Sequence, residues 1–373
     1  MAKIVSVQAR SVRIPLQNPT AFSQRQVTAR DYSLVKIRTD DGLEGIGHCY
    51  AGHSGGKVVT LAVRELLAPM VIGAESTSVE LLWKRMYQEV LLHGRAGSVM
   101  RALSMIDCAL WDRNARAANL PLYRYLGAAY EDTVPAYGSG GYYLEGKTPE
   151  MLGEEMASYV AMGLPAVKMK VGRGDLKSEE VRIAAAREAI GPGVLLMLDA
   201  NNAWSDVPTA LRYMERFAPY APYWIEEPFS PDQIDNHAKL AASISIPVAT
   251  GEIEAGRWRF KELLDKQAAS ILQADAAVCG GITEYRRIAA LADCHGVTMC
   301  PHWFHDLHVH LVAAGANGQF VEFFPDNKVF NFREIIDRQL EVRNGGLALP
   351  SEPGLGYQFD EAVISQFEAD NWQ

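Results

Sequence analysis

Short hydrophobic runs alternate with helix-like stretches through the C-terminal two-thirds of the chain. Between successive runs, apolar residues recur at intervals of three and four, which is typical of helices packed on one face. Strands that alternate with helices in this way predict βα units and a parallel sheet. The eight runs, which start about 22 to 33 residues apart, are 133–139, 166–171, 193–200, 222–228, 246–252, 270–276, 296–302 and 318–324.

Eight such units predict a closed α/β barrel over residues 126–327. An open, doubly wound sheet is the alternative fold for the same pattern. That fold usually carries a G-x-G-x-x-G turn after its first strand, and no such turn follows residues 133–139. The pattern therefore favours the barrel.

Residues 1–125 have a different pattern, that of an α+β domain. Alternating apolar and polar positions predict strands over 3–15 and 32–50, and the D-D-G sequence inside the second predicts a hairpin turn. We expect a smaller domain here, to which the loop-rich residues 328–373 return. Three helical patterns follow the strands, at 58–72, 76–90 and 97–119.

The composition is that of a globular protein with a large core, at 48% hydrophobic and 22% charged residues. The formal net charge is -9 and the isoelectric point is about 5.6. Because nucleic-acid-binding proteins usually carry a basic face, and no basic stripe is present, we expect no nucleic-acid partner. An acidic average still allows a pocket that is locally positive and binds an anion.

The five cysteines are scattered and form no C-x-x-C motif. This indicates reduced thiols in a cytoplasmic protein and not a disulfide framework. The N-terminal residues alternate like a strand and lack the apolar run of a signal peptide. No apolar segment reaches bilayer length, so we expect no membrane partner.

Ionisable side chains lie at the C-terminal ends of the predicted barrel strands. In barrels of this type the catalytic residues lie at these ends, so we expect the side chains to face a common centre. The first run ends on Ser139. The later runs provide Lys168, Lys170, Asp199, Glu226, Glu252, Asp275, His302 and Glu322.

Asp199, Glu226 and Glu252 end three successive strands and predict a metal site. Three carboxylates at close range repel one another unless a cation lies between them. An all-oxygen ligand set favours Mg²⁺, with Mn²⁺ as the second candidate. Glu227 follows Glu226 directly and is assigned a structural role, and Glu254 is a weaker competitor to Glu252.

Lys168 and Lys170 share one face of a strand and point towards these carboxylates. We expect two adjacent ammonium groups and a metal to lower the lysine pKa, which would make a competent general base. Asp275 and His302, from the next two strands, predict an Asp–His pair facing the lysines. A zinc site built from His302, His305, His308 and His310 is disfavoured, because their spacing fits no common zinc pattern.

This ordered set of residues resembles the enolase superfamily, in its mandelate racemase subgroup. The resemblance rests on K-x-K, Asp, the Glu of W-I-E-E-P, the Glu of T-G-E, then Asp, His and Glu on successive strands. Residues 102–127, with the sequence ALSMIDCALWDRNARAANLPLYRYLG, are similar to the family's linker helix. The resemblance implies an N-terminal capping domain, a modified TIM barrel of the (β/α)7β type and a Mg²⁺-dependent enzyme that removes the α-proton of a carboxylate substrate.

The resemblance also implies a role for each position. It makes Asp199, Glu226 and Glu252 the metal ligands, Lys170 the base with Lys168 in support, and Asp275 and His302 the pair on the opposite face. It makes Glu322 a protonated donor to the substrate carboxylate. Ser139 and Asn201 would contact that carboxylate or order the metal site.

The reaction is less sharply defined than the site. We expect dehydration of an aldonate or aldarate to a 2-keto-3-deoxy acid, which is the common outcome in this subgroup. Racemisation or epimerisation of a 2-hydroxy acid, and cycloisomerisation of a sugar lactone or anhydro sugar acid, remain alternatives. Outside this class, the alternatives are a metal-dependent hydrolase, which would want a histidine-rich site, and a non-catalytic barrel, which would have lost a key residue.

Specificity is expected to come from two loops of the N-terminal domain, residues 18–24 and 48–56. The second loop offers Tyr50 and His53, which suit a polyhydroxylated small molecule better than an aromatic one. By the same resemblance, we expect a homo-oligomer, either a dimer or an octamer.

Overall fold

The computed structural model describes residues 2–23 and 25–373. The chain folds into an N-terminal capping domain of strands and helices and a barrel of parallel strands surrounded by helices. The predicted fold class, a modified (β/α)7β barrel with an α+β capping domain, is confirmed. No helix in this described part of the chain combines the length and apolar composition needed to cross a membrane.

The capping domain is built on an antiparallel sheet in the order β14-β1-β2-β3. The first long strand alternates buried with more exposed residues over part of its length, whereas residues 30–35 of the second are all buried, so both faces are covered there. The predicted D-D-G turn joins β2 to β3, and Gly42 adopts a φ of 86° there. The strands are β1 (Ile4–Phe22), β2 (Arg25–Thr39) and β3 (Glu44–Tyr50), and β14 (Glu368–Ala369) comes from the C-terminus.

Five helices belong to the capping domain, and three of them pack on its sheet. The sequence predicts one helix over 58–72, but the structure breaks it with a π-helical turn at Val63–Leu67. The break precedes Pro69, which lacks the N–H group that a continuous helix would use. The helices are α1 (Gly56–Ala62), α2 (Ala68–Val71), α3 (Val79–His93), α4 (Gly97–Ala117) and α5 (Leu122–Tyr125). Of these, α1, α2 and α4 pack on the sheet.

The barrel has eight parallel strands, and β11 pairs with β4 to return the sheet to its start. An isolated bridge between Met299 and Gly318 links the last two strands of the cycle. The strands are β4 (Thr133–Ser139), β5 (Ala166–Lys170), β6 (Leu195–Asp199), β7 (Pro222–Glu226), β8 (Val248–Thr250), β9 (Ile271–Leu272), β10 (Thr298–Met299) and β11 (Val321–Phe323).

Seven helices connect the eight strands. Three of them have a capping side chain at the N-terminus: the Thr148, Asp175 and Asp206 side chains each accept a backbone N–H of the first turn. The helices are α6 (Pro149–Ala161), α7 (Leu176–Ile190), α8 (Val207–Phe217), α9 (Ile234–Ser243), α10 (Arg257–Asp265), α11 (Gly281–Cys294) and α12 (His305–Ala314). A 3₁₀ turn at Ala218–Tyr220 extends α8.

The C-terminal segment runs back over the barrel to the capping domain. Its strand β13 pairs with β4 on the side away from β5, and its end joins the capping sheet as β14. Asn331 ties it to β2, because its Oδ1 accepts the Tyr32 hydroxyl at 2.8 Å. Its elements are a 3₁₀ helix (Asn331–Ile335), β12 (Val342–Arg343), β13 (Gly346–Ala348) and α13 (Glu361–Ile364).

A layer of apolar side chains closes the interior of the barrel. We call this layer the barrel floor. Each of the eight barrel strands, or the residue next to it, contributes one side chain to this layer. The interior of the barrel is therefore packed and is not a pore. The residues are Tyr137, Ala166, Met197, Trp224, Ala249, Ile271, Cys300 and Phe320.

One buried carboxylate connects three parts of the chain. Asp112 on α4 accepts the backbone N–H of Ile46 at 2.9 Å and that of Leu355 at 2.7 Å, and it pairs with Arg116. Asp112 therefore joins β3, α4 and the C-terminal segment.

Replacing Asp112 with alanine is expected to lower the free energy of unfolding by about 3 kcal/mol, because two buried N–H groups and one cation lose their partner. Chemical denaturation measures the change. The control is Asp265→Ala, whose ion pair with Lys261 is exposed and should change stability by less than about 0.5 kcal/mol. Equal denaturation midpoints for the two variants would contradict this role of Asp112.

Candidate active site

The ionisable side chains lie one layer above the barrel floor. Alternate residues of a strand face the same side, so a residue two positions after a floor residue also points into the barrel. This rule explains why Lys168, two residues after Ala166, is buried inside the barrel. The residues in this second position include Ser139, Lys168, Asp199, Glu226, His302 and Glu322.

Strand register places three of these groups side by side. Lys170 on β5 pairs in register with Asp199 on β6, and Asp199 pairs with Glu226 on β7. Glu252 lies two residues beyond β8 and completes the carboxylate set. The three carboxylates each offer an oxygen within 4.8 Å of the others.

This set fits a hard divalent cation. The donors are all carboxylate oxygens, two of the three residues are fully buried, and their spacing is close to that of oxygens around one ion. Asn201 follows Asp199 and keeps its buried Oδ1 without a hydrogen-bond partner, while its backbone N–H donates to Asp199 at 2.9 Å. Asp199, Glu226 and Glu252 are therefore the residues that would hold Mg²⁺.

The two lysines neutralise the carboxylates in this structure. The Lys168 Nζ lies 2.6 Å from Glu226 and 2.7 Å from Glu322, and Lys170 pairs with Asp199. Both ammonium groups are buried, and aromatic rings cover them, with Tyr142 5.1 Å from the Lys170 Nζ. The lysines thus point into the barrel, as the alternation of the strand predicts.

The carboxylates, and not the mutual repulsion of the two lysines, decide the lysine pKa in this arrangement. Burial lowers the pKa of Lys170, but the adjacent Asp199 carboxylate raises it by more, so the net pKa lies above the usual value. The same balance, with Glu226 and Glu322 as the partners, holds the pKa of Lys168 well above its usual value. The two lysines are therefore cationic while these pairs persist.

Asp275 and His302 form the predicted pair. The His302 Nδ1 lies 3.2 Å from Asp275, and its Nε2 lies 3.6 Å from Glu252. Burial lowers the pKa of His302, but Glu252 and Asp275 outweigh burial and raise it to about 9. An imidazolium is the form that can donate a proton at neutral pH.

A second histidine contacts the same carboxylate. The His308 Nε2 lies 3.3 Å from Asp275 Oδ1 and accepts the backbone N–H of Ala276 at 3.0 Å. The other two histidines of this region turn elsewhere: His305 packs on Phe330, and His310 contacts the Leu355 carbonyl. The four histidines do not gather around one point, in line with the rejection of a zinc site.

Glu322 lies among hydrogen-bond donors and cations, which favour its carboxylate form; the protonated donor that the resemblance implies belongs to the complex with substrate. Glu322 accepts the Ser139 hydroxyl at 2.7 Å and the backbone N–H of Trp303 at 2.7 Å. Burial raises the pKa of Glu322, but Lys168 and His302 lower it further, and the net pKa is about 2. The Ser139 hydroxyl therefore donates to Glu322 in this structure, whereas the resemblance implies that it contacts the substrate carboxylate or orders the metal site.

Glu227 and Glu254 lie outside the carboxylate set. Glu227 adopts a φ of 42° and is buried, and burial together with the nearby Glu252 holds its pKa well above its usual value. Glu254 is paired with Arg259 at 3.0 Å, so Glu252 is the residue that belongs to the set.

A cavity of about 560 Å³ is lined by residues of both domains. The barrel residues that line it include Lys170, Asn201, Glu252, Asp275 and His302. The capping-domain residues that line it include both predicted contact residues, Tyr50 and His53, and also Phe22 from the predicted loop 18–24. Gln24, the last residue of that loop, lies outside the described residues.

Sequence reasoning missed several residues of this cavity. The capping domain adds three arginines, and the barrel adds Tyr142 and Trp303. Arg30 is buried on β2 between Ala29 and Asp31, and that sequence context does not mark it as a buried residue. The arginines are Arg25, Arg30 and Arg101.

Comparison with known proteins gives the same family for both domains. The N-terminal domain model of the mandelate racemase/muconate lactonizing enzyme family matches residues 4–127. The enolase C-terminal domain-like model matches residues 151–363.

Individual relatives cover almost the whole chain. An arabinonate dehydratase of Saccharolobus solfataricus is 33% identical over 90% of this chain and 90% of its own length. A D-galactarolactone cycloisomerase of Agrobacterium fabrum is 33% identical over 98% of each chain. Among solved structures, an L-talarate dehydratase from Polaromonas sp. JS666 in complex with Mg and L-glucarate has a TM-score of 0.91 and 32% identity, covering 99% of both chains.

Addition of Mg²⁺ is expected to raise the thermal unfolding midpoint of the wild-type protein, because an ion that binds only the folded state stabilises it. Asp199→Asn removes one buried ligand and should abolish this shift. Differential scanning calorimetry with and without Mg²⁺ measures it. Glu254→Gln is the matched control and should keep the full shift, and loss of the shift in that variant would place the metal elsewhere.

Proposed function

The chain belongs to the mandelate racemase/muconate lactonizing enzyme family of the enolase superfamily, and from this premise we propose that it dehydrates a sugar acid. The reaction removes the α-proton of the substrate and expels the β-hydroxyl as water. The product is a 2-keto-3-deoxy acid. The observation that carries this proposal is that the Asp275–His302 pair and Lys170 line the same cavity.

The substrate carboxylate would bind at the carboxylate set formed by Asp199, Glu226 and Glu252. A bound Mg²⁺ would supply positive charge there that stabilises the oxyanion formed when the α-proton leaves. Lys168 lies within 2.7 Å of both Glu226 and Glu322, so its ammonium can donate to an oxygen of the same substrate carboxylate. Glu322 would gain a proton only when the substrate carboxylate binds beside it, because two carboxylates at short range raise each other's pKa.

Lys170 is the residue proposed to take the α-proton. Its ammonium is held by Asp199, and the neutral amine becomes available when Asp199 turns to another cation. Tyr142 and Phe22 lie over the amino group and shield it from bulk water. An amine in such a place is well suited to a proton transfer from carbon.

His302 is the residue proposed to give a proton to the departing hydroxyl. Asp275 fixes the imidazole through Nδ1, which leaves Nε2 towards the cavity side where Glu252 lies. A hydroxide is a poor leaving group, whereas water leaves readily, so an acid at this point lowers the barrier. The Asp275 carboxylate, 3.2 Å from Nδ1, favours the imidazolium that would supply that acid.

Cycloisomerisation is the second candidate, and the 33% identical D-galactarolactone cycloisomerase favours it. The same lysine would remove the α-proton, and the departing group would be a ring oxygen of the substrate. Epimerisation would use the same two residues to return a proton to the opposite face. The three outcomes differ in product and not in the first proton transfer.

We also propose that the protein acts as a homo-oligomer in the cytoplasm. All five cysteines are free thiols, which suits a reducing compartment. Large apolar side chains on the helices of the capping domain are exposed, which is typical of a surface that meets another subunit. They include Val58, Leu61, Leu81, Leu91 and Leu92.

Wild-type protein with Mg²⁺ is expected to convert at least one sugar acid to a 2-keto-3-deoxy acid, detected by a colorimetric assay across a library of acids. Lys170→Ala and His302→Asn should each lower kcat by about a thousandfold, as expected for loss of a general base or acid. Lys177→Ala, at an exposed position on α7, should leave kcat unchanged.

Proton exchange in D₂O separates the candidate reactions. Dehydration predicts one deuterium at C3 of the keto acid. Exchange at C2 without net product would instead show an epimerase or racemase, and the dehydratase proposal would then be wrong. A cyclic acid converted to an open or rearranged isomer without loss of water would identify the cycloisomerase.

A further inference from the structure

Three guanidinium groups lie in the part of the cavity that the capping domain contributes. Arg25 and Arg30 come from β2, and Arg101 comes from the first turns of α4. The barrel part of the same cavity contains Lys170, His302 and two carboxylates, those of Glu252 and Asp275. The cavity therefore has two charged regions, one on each domain.

None of the three arginines forms an ion pair with a carboxylate among residues 2–23 and 25–373. Arginines elsewhere in the protein do: Arg113 pairs with Asp41, and Arg116 pairs with Asp112 at 2.9 Å. A buried guanidinium without a carboxylate partner raises the free energy of the folded protein. Such a group is stabilised when an anion enters the cavity.

Arg30 shows the feature most clearly. It is 1% exposed, and its Nε donates to the Val329 carbonyl at 2.8 Å, but its buried Nη2 has no hydrogen-bond partner. Its guanidinium lies over the rings of Trp303 and Tyr50, 4.5 Å and 5.2 Å from their centroids. Stacking on aromatic rings holds the group flat and leaves its N–H edge as the surface that can meet an acceptor.

One carboxylate of the substrate is already placed. The proposed chemistry binds it beside Lys168 and the carboxylate set, with its α-carbon reached by Lys170. The remaining cavity extends to Tyr50 and Arg101. A volume of about 560 Å³ accommodates a six-carbon acid, and the guanidinium groups would then meet its far end.

We infer, on the basis of the function proposed above, that the substrate is a dicarboxylic sugar acid whose second carboxylate binds Arg30 and Arg101, with Arg25 near the entrance. Family membership does not decide this point, because the relatives include an enzyme for arabinonate, a monoacid, and a complex with L-glucarate, a diacid. A guanidinium matches a carboxylate in a two-point hydrogen bond, whereas a terminal hydroxymethyl group offers no charge. The arginines are thus specificity residues that select the diacid.

The test compares matched pairs of acids that differ only at the far end, such as galactarate with galactonate and glucarate with gluconate. Binding is measured by calorimetry with saturating Mg²⁺ in a Lys170→Ala background, so that no substrate is consumed. Turnover of the same pairs is measured with the wild-type protein. Binding and turnover are thus separate readouts.

The preferred diacid is expected to bind about a hundredfold more tightly than its monoacid partner, the scale set by one buried charge pair. Arg101→Met and Arg30→Met should each reduce that preference to less than about fivefold, mainly by weakening the diacid. Arg343→Met, which removes an exposed partner of Asp132, is the matched control and should keep the full preference. Arg30 is buried, so its variant is first checked for an unchanged thermal midpoint, and an Arg25→Met, Arg101→Met double variant replaces it if it unfolds.

Each outcome bears on one of the two proposals. Equal affinity for monoacid and diacid, or a preference that survives the arginine variants, overturns the diacid inference while leaving dehydration in place. A diacid preference that depends on the arginines, without any keto acid product, supports the inference and contradicts the proposed reaction. No binding of any acid overturns both.

Discussion

Opposite charges buried in one barrel depend on each other. The interior above the barrel floor holds carboxylates from three strands and two ammonium groups from a fourth, and none of these groups is tolerable there alone. Lys168 illustrates the balance, since its Nζ lies 2.6 Å from Glu226 and 2.7 Å from Glu322. The positions of the neighbouring groups follow from this mutual neutralisation, and so do the raised pKa of Lys168 and the lowered pKa of Glu322.

The capping domain completes the chemistry that the barrel begins. Two backbone hydrogen bonds between Ala21 and Tyr143, both 3.0 Å long, bring the tip of β1 against the loop after β4. That contact sets Phe22 near Lys170, while Tyr50 stacks on Trp303 directly beside His302. Side chains of the capping domain displace water from Lys170 and His302. The electrostatic interactions of these two groups are therefore stronger when the two domains are in contact.

The sequence was enough to predict the barrel because strand and helix patterns alternate with regular spacing. It was also enough to predict that Lys168 and Lys170 point into the barrel, because alternate residues of β5 share one face. It was also enough to gather Asp199, Glu226 and Glu252, since parallel strands bring their ends to the same side. Protonation states could not be predicted, because they depend on distances between side chains from different strands. The contribution of Arg30 and Arg101 was equally hidden, because it requires knowing how one domain lies over the other.

The barrel strands are unequal in length, and this divides the site into two halves of different character. Lys168, Lys170, Asp199 and Glu226 stand within five-residue strands fixed by neighbours on both sides, whereas Glu252, Asp275 and His302 lie in the loops beyond strands of two or three residues. Loops accept insertions and substitutions that a hydrogen-bonded ladder rejects. The Asp275–His302 pair can therefore change in evolution while the four groups on the longer strands are kept, which gives a physical reason for one scaffold to host dehydratases and cycloisomerases alike.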